Sequence, residues 1–86
     1  MSKSDHDRES TLSKMDLNCP LVINDIRVLD KTKEDSLEEI GFYPGSEIQV
    51  IAKLPFKGPL VCLHKGAKIA IRYEDAEGIL VKSNEH

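Results

Sequence analysis

Gly41-Phe42-Tyr43-Pro44-Gly45 is the stretch that decides the fold of this 86-residue chain. A short helix-like segment at 32–40 precedes it, and a long region patterned as strands follows it. A glycine directly after the last apolar position of a helix can adopt the left-handed conformation that ends the helix. Pro-Gly then predicts a type II turn, because proline presets φ and the glycine accepts a positive φ. The stretch therefore predicts a helix end, a turn and the start of a strand, with Gly41, Pro44 and Gly45 as structural residues.

The segment before this stretch carries signals for both ends of a short helix. Thr32-x-x-Asp35 resembles a capping box, in which side chains at the helix start satisfy free backbone N–H groups. At the other end, Phe42 occupies the position whose side chain usually packs back onto the helix, here onto Leu37. An isolated helix of this length is marginal in water, so packing onto the sheet must stabilise it.

Alternation of apolar and polar side chains after the turn is typical of half-buried strands. The apolar positions predicted to face the interior are Ile48, Val50, Ala52, Val61, Leu63, Ile69 and Ile71. The positions predicted to face outwards are Gln49, His64, Lys68 and Arg72. These runs predict three successive strands.

Turn-forming residues separate the strands. The prolines and glycine of 55–59 interrupt any continuous ladder of hydrogen bonds and predict a loop or a bent edge. Lys65-Gly66 predicts a hairpin, or a longer loop because lysine disfavours a positive φ. Residues 74–78 predict one helical turn before a last strand at 79–82.

Two regions precede the helix. Residues 1–16 are polar, without an apolar period, and are predicted to be a disordered tail because they cannot offset the entropy lost on ordering. The folded domain is predicted to span 17–86. Apolar residues return over 17–29, which predicts a first strand region in which Asn24-Asp25 marks a turn or a bulge.

Length and composition exclude several classes of protein. A chain of 86 residues supports one domain, and its 40% of hydrophobic residues suffices for a small core without tryptophan. No stretch approaches the roughly 20 apolar residues that span a bilayer. The N-terminus lacks the apolar region of a secretory signal. We therefore expect a cytoplasmic protein that does not insert into a membrane.

No motif for catalysis or cofactor binding is present. The sequence contains no phosphate-binding loop, no G-x-S-x-G and no H-E-x-x-H. Cys19 and Cys62 are the only cysteines, too few for a disulfide framework or a four-ligand zinc site. Cys62 and His64 fall on one strand face, which would suit part of a metal site, but we interpret them as a buried thiol beside a partly exposed imidazole. We predict a protein that is not an enzyme, with no catalytic, cofactor-binding or metal-binding residues.

Charge is distributed unevenly along the chain, whose net charge is −3. No acidic residue lies between Glu47 and Glu74. The cations within this interval are Lys53, Lys57, Lys65, Lys68 and Arg72. They form either a solvated sheet face or a docking surface for an acidic partner or a phosphate backbone. The acidic pI of about 5.5 and the scarcity of aromatic side chains for base stacking argue against a nucleic acid.

Residues 37–81 resemble the FeoA family, the small cytosolic partners of the bacterial ferrous iron transporter FeoB. The resemblance rests on the apolar-Gly-apolar-x-Pro-Gly junction at 40–45, the Pro/Gly-rich break at 54–59, the hairpin centred on Gly66 and the ending at 72–79. It implies a mainly β fold, a small SH3-like barrel of about five strands with one short α-helix and a helical turn before the last strand.

The resemblance also implies a function. It is that of a cytosolic accessory protein of ferrous iron uptake, which binds the cytosolic part of a FeoB-type transporter and modulates GTP-coupled uptake by contact. The predicted partner-binding residues are Leu37, Phe42 and Tyr43, an apolar patch at the helix–turn junction, with Lys57 in the loop beside it. For Leu37 and Phe42, packing in the core is the alternative interpretation.

The residues are also compatible with two other functions. One is an SH3-like nucleic-acid-binding module, since small barrels recur in RNA proteins. The other is a free-standing relative of the barrel domain attached to iron-dependent repressors, although no helix-turn-helix precedes the barrel. The family resemblance is looser over 17–31, where Ile23-Asn24 stands in place of the glycine usual in the family.

Overall fold

The computed structural model describes residues 9–28 and 30–84. Its strands are β1 (Ser10–Thr11), β2 (Leu21–Ile26), β3 (Glu47–Lys53), β4 (Leu60–His64), β5 (Ala67–Ile71) and β6 (Ile79–Ser83). Its helices are α1 (Lys31–Glu39) and α2 (Tyr73–Ala76), and a 3₁₀ turn spans Leu12–Lys14.

Within the described residues, the strands form one antiparallel sheet of six, in the order β1-β6-β2-β3-β4-β5. The mainly β fold is confirmed, as are the short helix and the helical turn before the last strand. The sequence predicted about five strands, and the sixth is the two-residue β1, which pairs with β6 through Ser10↔Val81 and Thr11↔Leu80.

The core includes a residue of the junction itself. Of the side chains in the described part of the chain, Phe42 is the largest that is fully buried. The others are Leu12, Leu21, Ile23, Leu60, Ile79, Val50, Val81 and Cys62. Complete burial of one large apolar side chain contributes about 1.5–3 kcal/mol. Because Phe42 belongs to the same buried cluster as residues of the strands, the helix end and the sheet depend on each other.

The end of α1 has the geometry that the sequence predicted. Gly41 has φ +96°, in the left-handed region. Its N–H donates to the Glu38 carbonyl at 3.0 Å, and the Phe42 N–H donates to the Leu37 carbonyl at 2.8 Å. These are the two hydrogen bonds of a Schellman motif, and they satisfy carbonyls that the end of the helix leaves free.

The Pro-Gly turn that follows is also confirmed. Gly45 has φ +100°, and the Ser46 N–H donates to the Tyr43 carbonyl at 3.0 Å. Gly45 also donates its N–H to the carbonyl of Ile23 at 2.8 Å, which ties the turn to β2. The turn therefore leads the chain directly into β3.

The start of α1 differs from the prediction. The N-cap residue is Asp30, whose carboxylate accepts a hydrogen bond from the Thr32 N–H at 2.9 Å. The predicted capping box at Thr32 and Asp35 is therefore wrong by two positions. Aspartate is as good an N-cap as threonine or better, so the earlier acid takes the role.

The predicted boundary between tail and domain at residue 17 is also wrong. Ser10 and Thr11 pair with β6, and Leu12 is fully buried in the core. One buried leucine and a two-residue strand leave no periodic pattern for sequence reasoning to detect. The part of the predicted tail at 1–8 lies outside the described residues.

The inward-facing side of β4 is opposite to the one predicted. Leu60, Cys62 and His64 are buried, whereas Val61 and Leu63 are only partly buried. Both faces of this strand carry apolar residues, so alternation alone cannot choose between them.

Two strands contain bulges. In β3, Ile51 occupies a bulge that shifts the pairing between Val50 and Ala52. The bulge predicted near Asn24 in β2 is present between Ile23 and Asp25.

Lys65-Gly66 forms the shorter of the two predicted connections. His64 pairs with Ala67, and the two residues between them have φ +52° and +81°. Positive φ at both positions is the property of a two-residue type I′ hairpin turn. The turn brings His64 to the very end of β4.

Candidate docking surfaces

The β3–β4 hairpin separates two regions of the molecule. Its pairing runs from Gln49↔Leu63 to Lys53↔Leu60. We call the region formed by residues 41–47 and His64 the junction end. We call the connecting segment at 54–59 the loop end. The junction end lies next to the Gln49↔Leu63 pair and the loop end next to the Lys53↔Leu60 pair, so the two are at opposite ends of the paired strands.

His64 is the side chain that organises the junction end. It is only 6% exposed, which corrects the prediction of a partly exposed imidazole that faces outwards. Its Nδ1 lies 3.0 Å from the carbonyl oxygen of Glu47, and because a carbonyl only accepts, we assign the hydrogen to Nδ1. The ring meets Phe42 edge-on, with centroids 5.5 Å apart and planes at 71°, an arrangement favoured by aromatic pairs.

Ser46 is a junction residue that the sequence analysis missed. Its buried hydroxyl donates to the Gly41 carbonyl at 2.6 Å and accepts from the Tyr43 N–H at 3.3 Å. The hydroxyl thus links the helix end to the Pro-Gly turn. A serine directly after Pro-Gly is the signal that could have identified it, since serine often bonds nearby backbone groups in turns.

Tyr43 is the exposed aromatic residue of the junction end, 42% exposed as the sequence predicted. It borders a cleft of about 350 Å³. The lining residues are Tyr43, Gly45, Ser46, Glu47, His64 and Lys65. The backbone on either side of Tyr43 is fixed by the bonds of Gly41, Ser46 and the turn. Its ring is therefore presented from a rigid segment beside a small polar cleft.

The rest of the predicted patch is not at this surface. Leu37 and Phe42 are buried in the core, so the prediction that they contact a partner is wrong and the alternative interpretation is correct. The Schellman motif draws the side chain after Gly41 towards the helix, away from solvent. Lys57 lies at the loop end and not beside Tyr43, since the β3–β4 pairing separates them.

The loop end carries the feature that sequence reasoning did not find. Phe56 is 98% exposed. Phe56 and Lys57 have φ +60° and +56°, and the Gly58 N–H donates to the Pro55 carbonyl at 3.0 Å across them. Lys57 Nζ lies 5.9 Å from the centroid of the Tyr73 ring, within the range of a cation–π contact. The available signal was a lone phenylalanine between two prolines, outside any alternating run.

The thiol of Cys62 is buried in the core. Burial raises the pKa of the Cys62 thiol to about 11, so the thiol stays protonated near neutral pH, and it is the thiolate that acts as nucleophile and ligand. Within 9–28 and 30–84, no group of three or more His, Cys, Asp or Glu side chains is arranged to hold a metal ion. Neither helix of this part has the length and hydropathy of a membrane span.

A family model described as the FeoA domain matches residues 10–83. The matched range begins at the first residue of β1 and ends at the last residue of β6. It therefore coincides with the six-stranded sheet. A comparison with curated proteins found no match.

Solved structures with this fold include FeoA proteins. A crystal structure of an iron uptake regulatory protein (FeoA) gives a TM-score of 0.74 at 25% identity and covers 87% of this chain and 96% of that chain. FeoA from Stenotrophomonas maltophilia, complexed with zinc and described as a prokaryotic SH3-domain protein, gives 0.71 at 28% identity and covers 84% and 88%. A manganese-dependent transcriptional repressor gives 0.79 at 20% identity, with 87% of this chain and 41% of that chain covered. The fold is therefore SH3-like.

Proposed function

Because the chain belongs to the FeoA family, we propose that it is a cytoplasmic accessory protein of ferrous iron uptake that binds the cytosolic region of a FeoB-type transporter. The family is associated with ferrous iron transport. The match of the family model over residues 10–83 is the observation that carries the proposal. A related FeoA protein is described as an iron uptake regulatory protein, which supports a regulatory role.

The mechanism that we propose is contact between folded surfaces. FeoA is an accessory, transport-related family and not a known family of enzymes. A protein of this kind changes its partner by binding one conformation of it better than another. To bind in this way, such a protein needs a rigid surface with exposed aromatic or charged anchors, since a few such residues carry most of the binding energy of an interface.

Tyr43 meets this requirement at the junction end. Its ring is partly exposed, and its backbone is fixed by the Ser46 hydroxyl and the turn. A rigid backbone lowers the entropy that is lost when a partner orders the side chain. Tyrosine also combines apolar area with a hydroxyl that can bond a partner.

The basic strands give less support to a nucleic-acid interface. Arg72 already pairs with Glu74, with Nη1 3.7 Å from the carboxylate. Tyr73, the aromatic residue next to it, is only partly exposed and faces Lys57. The likeness to the manganese-dependent repressor, at 20% identity, concerns the fold alone.

Titration calorimetry tests the proposal directly. The full chain is titrated into the purified cytosolic region of the transporter from the same organism, with and without a guanine nucleotide. We expect saturable binding to the folded region. If the chain does not bind in any nucleotide state, and does not bind the intact transporter in detergent, the proposed function is wrong.

A further inference from the structure

The loop end presents an apolar side chain that the fold does not use. Among the described residues, Phe56 is the most exposed large hydrophobic residue, at 98%. Leu54, two residues earlier in the same loop, is 50% exposed. A phenylalanine that gains nothing from burial in its own domain is a candidate anchor for another molecule.

The backbone holds this side chain outwards at a cost. Phe56 and Lys57 are consecutive non-glycine residues in the left-handed region, with φ +60° and +56°. For residues with a Cβ this conformation is strained, and glycine would adopt it freely. The turn is closed by a hydrogen bond from the Gly58 N–H to the Pro55 carbonyl. The whole loop is closed by a hydrogen bond from the Leu54 N–H to the Pro59 carbonyl at 3.1 Å. Strain of this kind is concentrated at functional positions in proteins.

Two lysines lie close to Phe56 in the sequence. Lys57 is adjacent, and Lys53 ends the strand that leads into the loop. The Lys57 ammonium is positioned over the Tyr73 ring, 5.9 Å from its centroid. Glu74 is the first acidic residue after the loop in the sequence, and it forms ion pairs with Arg72 and Lys33. The loop thus combines an apolar tip with a positively charged base.

From this combination we propose that the loop at 54–59 is a docking finger, whose Phe56 ring enters an apolar pocket with an acidic rim on a protein partner. This inference rests on the proposed function, so the partner is the cytosolic region of the transporter. The finger provides an anchor distinct from Tyr43, at the other limit of the β3–β4 pairing.

The fixed geometry favours a protein pocket over a lipid surface. A fluid bilayer accepts an aromatic ring in many orientations, so it gains little from a strained turn that selects one orientation. A shaped pocket gains from the same turn, because a side chain that is already oriented loses less freedom on binding. A cation held at a fixed position likewise complements a fixed carboxylate better than a mobile headgroup.

The decisive variant is Phe56→Gly, which removes the ring and also relieves the strain at φ +60°. A purely structural Phe56 would make this variant less stable. We expect a melting temperature equal to or above that of the wild type, together with a Kd for the cytosolic region raised about 10- to 30-fold. Phe56→Leu, which keeps an apolar side chain, should recover most of the affinity.

Leu17→Ser is the matched control, since Leu17 is also exposed, at 45%, but lies outside the loop, before β2. It should bind like the wild type. Replacing Lys53 and Lys57 together by glutamine should weaken the salt dependence of binding, because the charged base contributes to encounter.

Three results would overturn the inference, and they are distinguishable. If the wild type and Phe56→Gly bind the cytosolic region equally, the finger is wrong while the proposed function stands. If the wild type does not bind at all, both are wrong. If Phe56 instead determines sedimentation with phosphatidylcholine vesicles that contain phosphatidylserine, and not binding to the cytosolic region, the finger docks on lipid.

Discussion

The ring of His64 lies directly against Gly41, so closely that a Cβ added at Gly41 would be 2.6 Å from Nε2. Gly41 therefore serves two purposes at one position. It adopts the positive φ that ends α1, and it leaves room for the imidazole that packs on Phe42. The helix end, the core aromatic and the end of β4 meet at this contact.

Gly41→Ala should destabilise the domain more than Gly45→Ala does. Both glycines have a φ near the same value, +96° and +100°, but a Cβ at Gly45 would meet nothing within 4 Å. Gly45→Ala should therefore lower the free energy of unfolding by about 1–2 kcal/mol, the cost of the left-handed conformation for a residue with a Cβ. Gly41→Ala should exceed it by at least about 1 kcal/mol, since His64 must move in a packed core. Denaturant unfolding of the two variants measures the difference; equal losses would mean that the imidazole yields freely.

The junction could be predicted from sequence because its determinants are local. Gly41, Phe42 and the Pro44-Gly45 turn act through backbone conformations that neighbouring residues specify. The inward-facing side of β4 could not be predicted, because Val61 and Cys62 are both apolar and only packing chooses between them. The sequence likewise predicted one patch, whereas the sheet register places Lys57 and Tyr43 at different ends.

The role of Leu12 in the core yields a second prediction. Leu12 is fully buried, so Leu12→Ala should lower the free energy of unfolding by about 2–5 kcal/mol. Leu17→Ala, at a 45% exposed position, is the control and should cost about 1 kcal/mol or less. Urea denaturation of both variants makes the comparison. If Leu12→Ala is as stable as the control, the segment at 10–14 contributes nothing to the core.

The buried thiol predicts a specific loss of stability at high pH. The pKa of Cys62 is raised from 9.0 to about 11 by burial, so the unfolded chain releases this proton at lower pH than the folded one. The contribution of the Cys62 thiol to the free energy of unfolding is unchanged below pH 9. It is lost as the pH rises from 9 towards 11, by an amount on the order of 2–3 kcal/mol.

Other groups titrate in the same range, so the test compares the wild type with Cys62→Ala. The difference in unfolding free energy between them should shrink as the pH rises from 8 to 10. A constant difference would contradict a raised pKa at Cys62. Thiol labelling gives an independent check, since Cys19 is partly exposed and should react faster than Cys62 in the folded protein.

Tyr43 should affect binding and not folding. Because its ring is partly exposed, Tyr43→Ala should change the free energy of unfolding by less than about 1 kcal/mol. Removal of an aromatic anchor should weaken binding to the transporter's cytosolic region about tenfold or more. Tyr43→Phe separates the ring from the hydroxyl and should retain most of the affinity if apolar area dominates. A Tyr43→Ala variant that unfolds would place Tyr43 in the core instead.

The most direct test of the account is whether this chain binds its transporter at all, and whether binding matters for uptake. We predict saturable calorimetric binding of the wild-type chain to the cytosolic region. We also predict that ferrous iron uptake falls in cells that lack the chain and is restored by the wild type but not by a variant that has lost binding. No binding in any nucleotide state, or full uptake with a folded variant that does not bind, would contradict the claim that the protein acts by contact with the transporter.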